Sequence, residues 1–198
     1  MNIIERSDNV KIIVGLGNPG KEYEKTRHNV GFSFVDYYLK EKGFDVNWKK
    51  SFDGEYYSTI LFKEKVLFIK PLTYMNLSGI CVSQFLNYYN ASIDDLLIIS
   101  DDMDIFIGNF KLKSGGSSGG HNGLKNIESC LSTTSYKRLK IGISKDKSMN
   151  MKNYVLSKFE KDELDNLNHV FHDLVNVMDD YFVLPFSDLM SKYNQKNR

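Results

Sequence analysis

The sequence predicts a single α/β domain whose sheet is not purely parallel. Three observations carry this. Strand-like apolar runs alternate with helix-like periodic segments along the 198 residues. Two strand patterns at 54–62 and 65–70 are separated only by Lys63-Glu64, which reads as a hairpin and makes part of the sheet antiparallel. The chain has 41% hydrophobic residues, no internal repeat and no linker-like stretch, which suits one core. Residues 1–9 read as an N-terminal extension and 10–198 as the domain.

The elements follow in order. Lys11–Val14 is apolar-rich and runs into Gly15, a strand delivering its end to a tight loop. Gly17, Pro19 and Gly20 shape that loop, by backbone freedom at the glycines and a fixed φ at Pro19. Residues 29–42 form a helix with Val30, Phe34, Tyr37, Tyr38 and Leu39 on its apolar stripe and Gly43 at the C-cap. After the hairpin, Pro71 ends the strand and a polar loop exposes Met75-Asn76. Residues 77–89 are helical, with Ile80, Phe85, Leu86 and Tyr89 near one face. The run at 95–100 is continuously apolar, as in a strand covered on both faces, and ends in Asp101-Asp102-Met103-Asp104. A strand at 106–113, a flexible Gly-rich loop at 114–123, a helix at 124–131 and a strand at 136–144 come next. Residues 153–159 give no clear signal. Residues 160–181 form an acidic amphipathic helix with Leu164, Leu167, Phe171, Leu174, Val175 and Met178 at helical spacing.

Net charge is +1, so nothing global demands a polyanion. The distribution is uneven. Residues 111–147 carry Lys111, Lys113, Lys125, Lys137, Arg138, Lys140, Lys145 and Lys147 against Glu128 and Asp146. That excess can mark an anion-binding face or a solvated surface. Cys81 and Cys130 fit no paired or metal spacing and read as free thiols of a cytosolic protein. No apolar run reaches the ~18 residues of a membrane span, and the N-terminus lacks a signal-peptide pattern.

Three motifs are decoys. Gly15-x-Gly17-x-x-Gly20 matches a dinucleotide fingerprint, but Pro19 and the charged run after it delay the helix, and Asp36 falls inside that helix. Gly115-x-Ser117-x-Gly119 and Gly116-x-Ser118-x-Gly120 match a nucleophile elbow, but the preceding F-K-L-K is half charged and no Asp…His pair follows in order. His169-x-x-His172 lacks a third metal ligand, which favours surface histidines.

What remains is a dispersed set at strand and loop ends: Asn18, His28, Asn76, Asp101 and the pair His121-Asn122. Loops at the C-terminal ends of strands form the crevice of an open α/β sheet. A base, an orienting carboxylate and neutral amides meeting there would suit acyl or ester chemistry. Each also has an ordinary structural explanation: Asn76 and Asn122 as N-caps, Asp101 as a turn residue, His28 as a cap or surface histidine.

The stretches V-G-L-G-N-P-G-x-x-Y-x-x-T-R-H-N at 14–29, P-L-T-Y-M-N-L-S-G at 71–79, D-D-M-D at 101–104, G-G-H-N-G-L-K at 119–125 and R-L-K-I-G-I at 138–143 resemble the bacterial-type peptidyl-tRNA hydrolases. The resemblance covers nearly the whole chain. It implies a monomeric, cytoplasmic, metal-free and cofactor-free α/β hydrolase with a mixed sheet packed between helices. The reaction implied is cleavage of the ester joining a peptide to the 3′ end of tRNA. By motif, His28 resembles the general base, Asp101 its orienting partner, and Asn18 the amide facing the carbonyl and oxyanion. Asn76 and Asn122 resemble groups binding the peptide main chain and the 3′ end. Tyr23 and Met75 resemble cleft wall. Lys113 and Lys140 match positions that grip the 5′ phosphate at the acceptor stem, with Lys137 and Arg138 as the next candidates. Lys140 stands where Arg is frequent, and Ser117 and Ser118 stand where some members have Gly or His. A non-catalytic RNA-binding protein on the same fold and a small-molecule serine esterase are the alternatives.

Overall fold

The computed structural model describes residues 10–146 and 148–194. The expected extension at 1–9 and Lys147 of the basic segment lie outside them. Seven strands form one mixed sheet: β1 (Val10–Gly15), β2 (Lys49–Ser51), β3 (Gly54–Leu61), β4 (Glu64–Pro71), β5 (Leu96–Asp102), β6 (Phe110–Lys113) and β7 (Lys137–Gly142). Their order is β2-β3-β4-β1-β5-β7-β6. The four central strands, β4, β1, β5 and β7, are parallel, while β2 and β3 on one side and β6 on the other pair antiparallel. The hairpin pairs Leu61 with Glu64, so the expected turn holds to within a residue.

Helices cover both faces: α1 (Val30–Glu41), α2 (Ser78–Tyr89), α3 (Asn122–Leu131), α4 (Met151–Val155), α5 (Lys161–Tyr181) and α6 (Phe186–Asn194). One core joins α1, α5 and α6 to alternate residues of the sheet such as Ile13, Phe68, Ile99 and Leu139. The other joins α2 and α3 to Val14, Leu67 and Ile98. β5 is buried on both faces through Asp101, as its continuous apolar run requires.

Several boundaries differ from the sequence reading for physical reasons. The strand expected at 106–113 is only Phe110–Lys113, because Gly108 takes φ +86° and the Asn109 N–H closes a turn onto the Phe106 carbonyl. β2 escaped notice because three polar residues carry no alternation. Ile80 and Leu164, expected on apolar stripes, are 37% and 38% exposed, and the stripe of α2 runs through Cys81, Val82, Phe85 and Leu86 instead. Met151–Val155 supplies the short helix at the segment that gave no signal.

The first crossover fixes the future site. A Cβ on Gly15 would lie 2.4 Å from the Gly31 carbonyl oxygen, and one on Gly31 would lie 2.5 Å from Leu16 N. The paired glycines let the end of β1 abut the start of α1. The Leu16 N–H then donates to the Ile99 carbonyl and the Phe32 N–H to the Leu16 carbonyl. This brings residues 27–29 over the C-terminal end of β5.

Candidate active site

His28 and Asp101 meet above the C-terminal ends of β1 and β5. His28 Nδ1 lies 2.8 Å from Asp101 Oδ1, with both side chains buried. A carboxylate accepts, so Nδ1 carries the proton and Nε2 presents its lone pair. Nε2 makes no hydrogen bond among the described residues. Burial pulls the His28 pKa down, but the charge and hydrogen bond of Asp101 outweigh it, and the net direction is up. Burial alone would raise the Asp101 carboxyl. The adjoining His28 and His121 hold it well below the usual carboxylate range.

His121 is a third member, to which the family resemblance assigns no role. Its Nε2 lies 2.9 Å from the same Asp101 oxygen, and its ring centroid is 4.9 Å from that of His28. His121 is also the N-cap of α3: its Nδ1 accepts from the Gly123 and Leu124 N–H groups at 3.1 and 3.3 Å. A nitrogen that accepts carries no proton, so the ring proton sits on Nε2 and points at Asp101. One carboxylate oxygen thus receives two N–H donors. The only sequence signal was the neighbouring position to Asn122 in a Gly-rich loop.

These three residues are also the one group among the described residues that could hold a metal ion, with ligand atoms within 4.8 Å of one another. His169 and His172 are exposed on α5 and belong to no such group. Neither Ser117 nor Ser118 makes a side-chain hydrogen bond to a histidine among the described residues.

Asn18 is held from two sides. The Asn29 side chain brackets its backbone, accepting from Asn18 N and donating to Asn18 O, both at 2.9 Å. Its own Oδ1 accepts from the Met75 N–H at 2.7 Å. That contact fixes the amide orientation and leaves Nδ2 as the outward donor. Met75, expected to be exposed with Asn76, is instead buried: a Cβ on Gly123 would sit 2.6 Å from its sulfur, so α3 starts against it. Tyr23 packs edge-on against Tyr74 at 6.4 Å. Asn76 and Asn122 are exposed, and among the described residues neither amide caps a helix: Leu77 and His121 hold the cap positions.

The lysines lie on the neighbouring strands. β6 and β7 set Lys111 opposite Lys140 and Lys113 opposite Arg138, so all four side chains start from one face. Lys111 and Lys113 are exposed. Lys140 is buried and its ammonium pairs with Asp102 at 2.5 Å. Lys137 and Arg138 do not fit the reserve role. Lys137 donates to the Asp94 carbonyl at the other end of β7, and the Arg138 guanidinium is fully buried.

A buried histidine paired with a buried carboxylate, at the C-terminal ends of the parallel strands of a mixed α/β sheet, suits a hydrolytic enzyme. The family model for peptidyl-tRNA hydrolase matches residues 12–198. A peptidyl-tRNA hydrolase of Listeria monocytogenes is 42% identical over 190 residues, 94% of this chain and all of the relative. One from Mycoplasma capricolum is 44% identical over 187 residues, 93% of this chain and all of the relative. The crystal structure of peptidyl-tRNA hydrolase from Acinetobacter baumannii superposes with a TM-score of 0.83 at 33% identity, covering 94% of this chain and 95% of that one. The chain belongs to the peptidyl-tRNA hydrolase family.

Proposed function

We propose that this chain hydrolyses the ester of peptidyl-tRNA by a water-addition mechanism in which His28 is the general base. The activity itself follows from family membership over nearly the full length. The division of labour is our reading, and the observation that supports it is the His28 Nδ1 to Asp101 Oδ1 contact with Nε2 left open.

His28 Nε2 takes a proton from water as the oxygen attacks the ester carbonyl. Asp101 keeps the Nε2-basic tautomer and stabilises the imidazolium as it forms. Asn18 Nδ2 donates to the oxygen that gains charge, an effect of about 2.7–4 kcal/mol in comparable sites. The imidazolium then returns its proton to the departing ribose 3′ oxygen. The products are a peptide acid and free tRNA. An ester leaves readily enough that no covalent nucleophile is needed, and among the described residues no histidine is hydrogen-bonded to Ser117 or Ser118.

Asn76 and Asn122 supply amides for the peptide main chain and the 3′ end, between a wall made by Tyr23 and Met75. Lys113 and Lys140 are assigned to the 5′ phosphate at the acceptor stem. Lys111, opposite Lys140 in register, joins them as an exposed cation of the same face. We further assign a monomer acting in the cytoplasm. Among the described residues no helix is long and apolar enough to cross a membrane.

The test uses tRNA charged with an amine-blocked amino acid. His28→Ala loses nearly all turnover while retaining tRNA binding and a native melting transition. Wild-type-like turnover by that variant removes the base assignment. An acyl group trapped on Ser117 or Ser118 would restore the serine esterase, and a wild type that binds tRNA without turnover would restore the RNA-binding protein.

A further inference from the structure

Segment 114–121 carries His121 to Asp101, yet it has little structure of its own. Gly116, Gly119 and Gly120 take φ of +124°, +60° and +83°, and a Cβ at any of the three would meet open space. Such a run is held only by what grips it. The grip is Arg138. Its Nη1 donates to the Ser117 carbonyl at 3.0 Å, and its Nη2 reaches the Gly116 carbonyl, the Thr134 carbonyl at 3.1 Å and Glu128 Oε1 at 3.2 Å. Its guanidinium carbon stacks 4.3 Å from the Tyr136 ring centroid. The side chain has no exposed surface. A planar fork of donors suits converging carbonyls in a way that an ammonium cannot match.

The grip lies close to the site along the chain. Only residues 118–120 separate the pinned carbonyls from His121, and the His121 N–H closes that arc onto the Ser118 carbonyl at 3.1 Å. Glu128 belongs to α3, the helix that His121 caps. One buried guanidinium therefore sets the loop and the helix together.

We propose that Arg138 is a positioning residue for the reaction: it fixes segment 114–121 so that His121 donates to Asp101, and through that carboxylate it keeps His28 in register. The proposal rests on the reading of Asp101 as the partner of His28. Without the His121 donor, Asp101 concentrates its charge on His28 alone and holds the Nδ1 proton side more strongly.

The test compares Arg138→Lys, Gly116→Ala and Val177→Ala with wild type. Turnover, pH profile, melting temperature and the ¹⁵N signals of the histidine rings are read on each. Arg138→Lys lowers kcat about 10–100-fold, the cost of an ångström-scale misplacement, with KM little changed. Its acid limb moves to higher pH, and the His121 Nε2–H signal loses its wild-type position. Gly116→Ala strains the gripped carbonyl from the exposed side and shifts the same readouts less. Val177→Ala opens the core under α5 away from the loop; it lowers the melting temperature and leaves kcat and the His121 signal alone. The proposal is overturned if Arg138→Lys keeps kcat, if kcat falls with the His121 signal unmoved, or if Val177→Ala reproduces the pattern. Should Arg138→Lys not fold, unchanged readouts in Gly116→Ala overturn it. A turnover-competent His28→Ala would sink the base assignment instead, and the His121 signal still reads the Arg138 grip.

Discussion

At the scale of single residues, the site turns on which atom holds which proton. As the proposed base, His28 must be unprotonated at Nε2 to act, and Asp101 raises its pKa. The turnover rate therefore rises with pH through a value above the ordinary ~6.5 of histidine. Asp101→Asn removes the charge, so the acid limb moves to lower pH while the plateau falls at least about 10²-fold. A pH–rate profile of both proteins checks this, and an unmoved limb would separate Asp101 from His28. Stability follows the same shifts with opposite signs. The raised His28 stabilises the fold fully below about pH 6.5, and that contribution is lost as pH rises through its folded value. The lowered Asp101 stabilises above the ordinary ~3.9 and loses its contribution as pH falls through its folded value. Asn18 allows a cleaner cut. Asn18→Asp keeps the oxygen that accepts from Met75 N–H, yet places a negative charge where a donor should face the oxyanion. We expect kcat to drop about 10²–10³-fold, the cost of one oxyanion donor, with the melting temperature near wild type. A matching fall in melting temperature would make Asn18 a structural residue.

At the scale of elements, each of the two site histidines, His28 and His121, is delivered by a segment that a buried arginine ties down. Arg27, next to His28, is 5% exposed and lies between the rings of Tyr154 and Phe159 at 4.5 and 4.8 Å. It pairs with Glu163 at 2.8 Å. The same Glu163 oxygen accepts from the Glu160 N–H in the capping box of α5. Glu163→Ala thus removes a cap and leaves a buried cation unpaired, which we expect to cost about 3 kcal/mol, read by denaturant unfolding. A loss under about 0.5 kcal/mol, typical of surface substitutions, would mean that the aromatic rings and the Ser157 hydroxyl, which accepts from Arg27 Nε at 3.2 Å, hold Arg27 without Glu163. These ties explain what the sequence made legible. The strand–glycine–helix order and the residues His28, Asp101 and Asn18 stand in long motifs, so pattern and resemblance reached them. The Arg27–Glu163 tie spans 136 residues and the His28–His121 partnership exists only across Asp101, so no local spacing betrays either. α6 lacked a strong signal because only Leu189 and Tyr193 of its nine residues are buried. The cap readings for Asn76 and Asn122 failed by one position each, where Leu77 and His121 take the cap.

At the scale of the molecule, charge is segregated along the sheet. The β6–β7 margin carries Lys111, Lys113 and Lys140 on one face, while α5 contributes acidic residues to the other layer, among them Asp173, Asp179 and Asp180. Under the proposed phosphate assignment, this arrangement would steer a strongly anionic acceptor stem toward the first and away from the second. The lysines are not equivalent. Lys113 and Lys111 are exposed and open to a phosphate. Lys140 is pre-paired with Asp102, the residue after the orienting carboxylate, so a phosphate must share its ammonium. Lys113→Ala and Lys111→Ala should therefore raise KM more than Lys140→Ala, with kcat held, because the contact is distant from the bond broken. Each loss should also lower the salt slope by roughly one unit for a duplex contact. Asp102→Asn supplies the opposite arm: freeing Lys140 should tighten substrate carrying a 5′ phosphate and leave a dephosphorylated substrate unaffected. Measuring KM for the two substrates across a salt series distinguishes the cases. Equal KM values for phosphorylated and dephosphorylated tRNA in wild type would move the phosphate site off this face altogether.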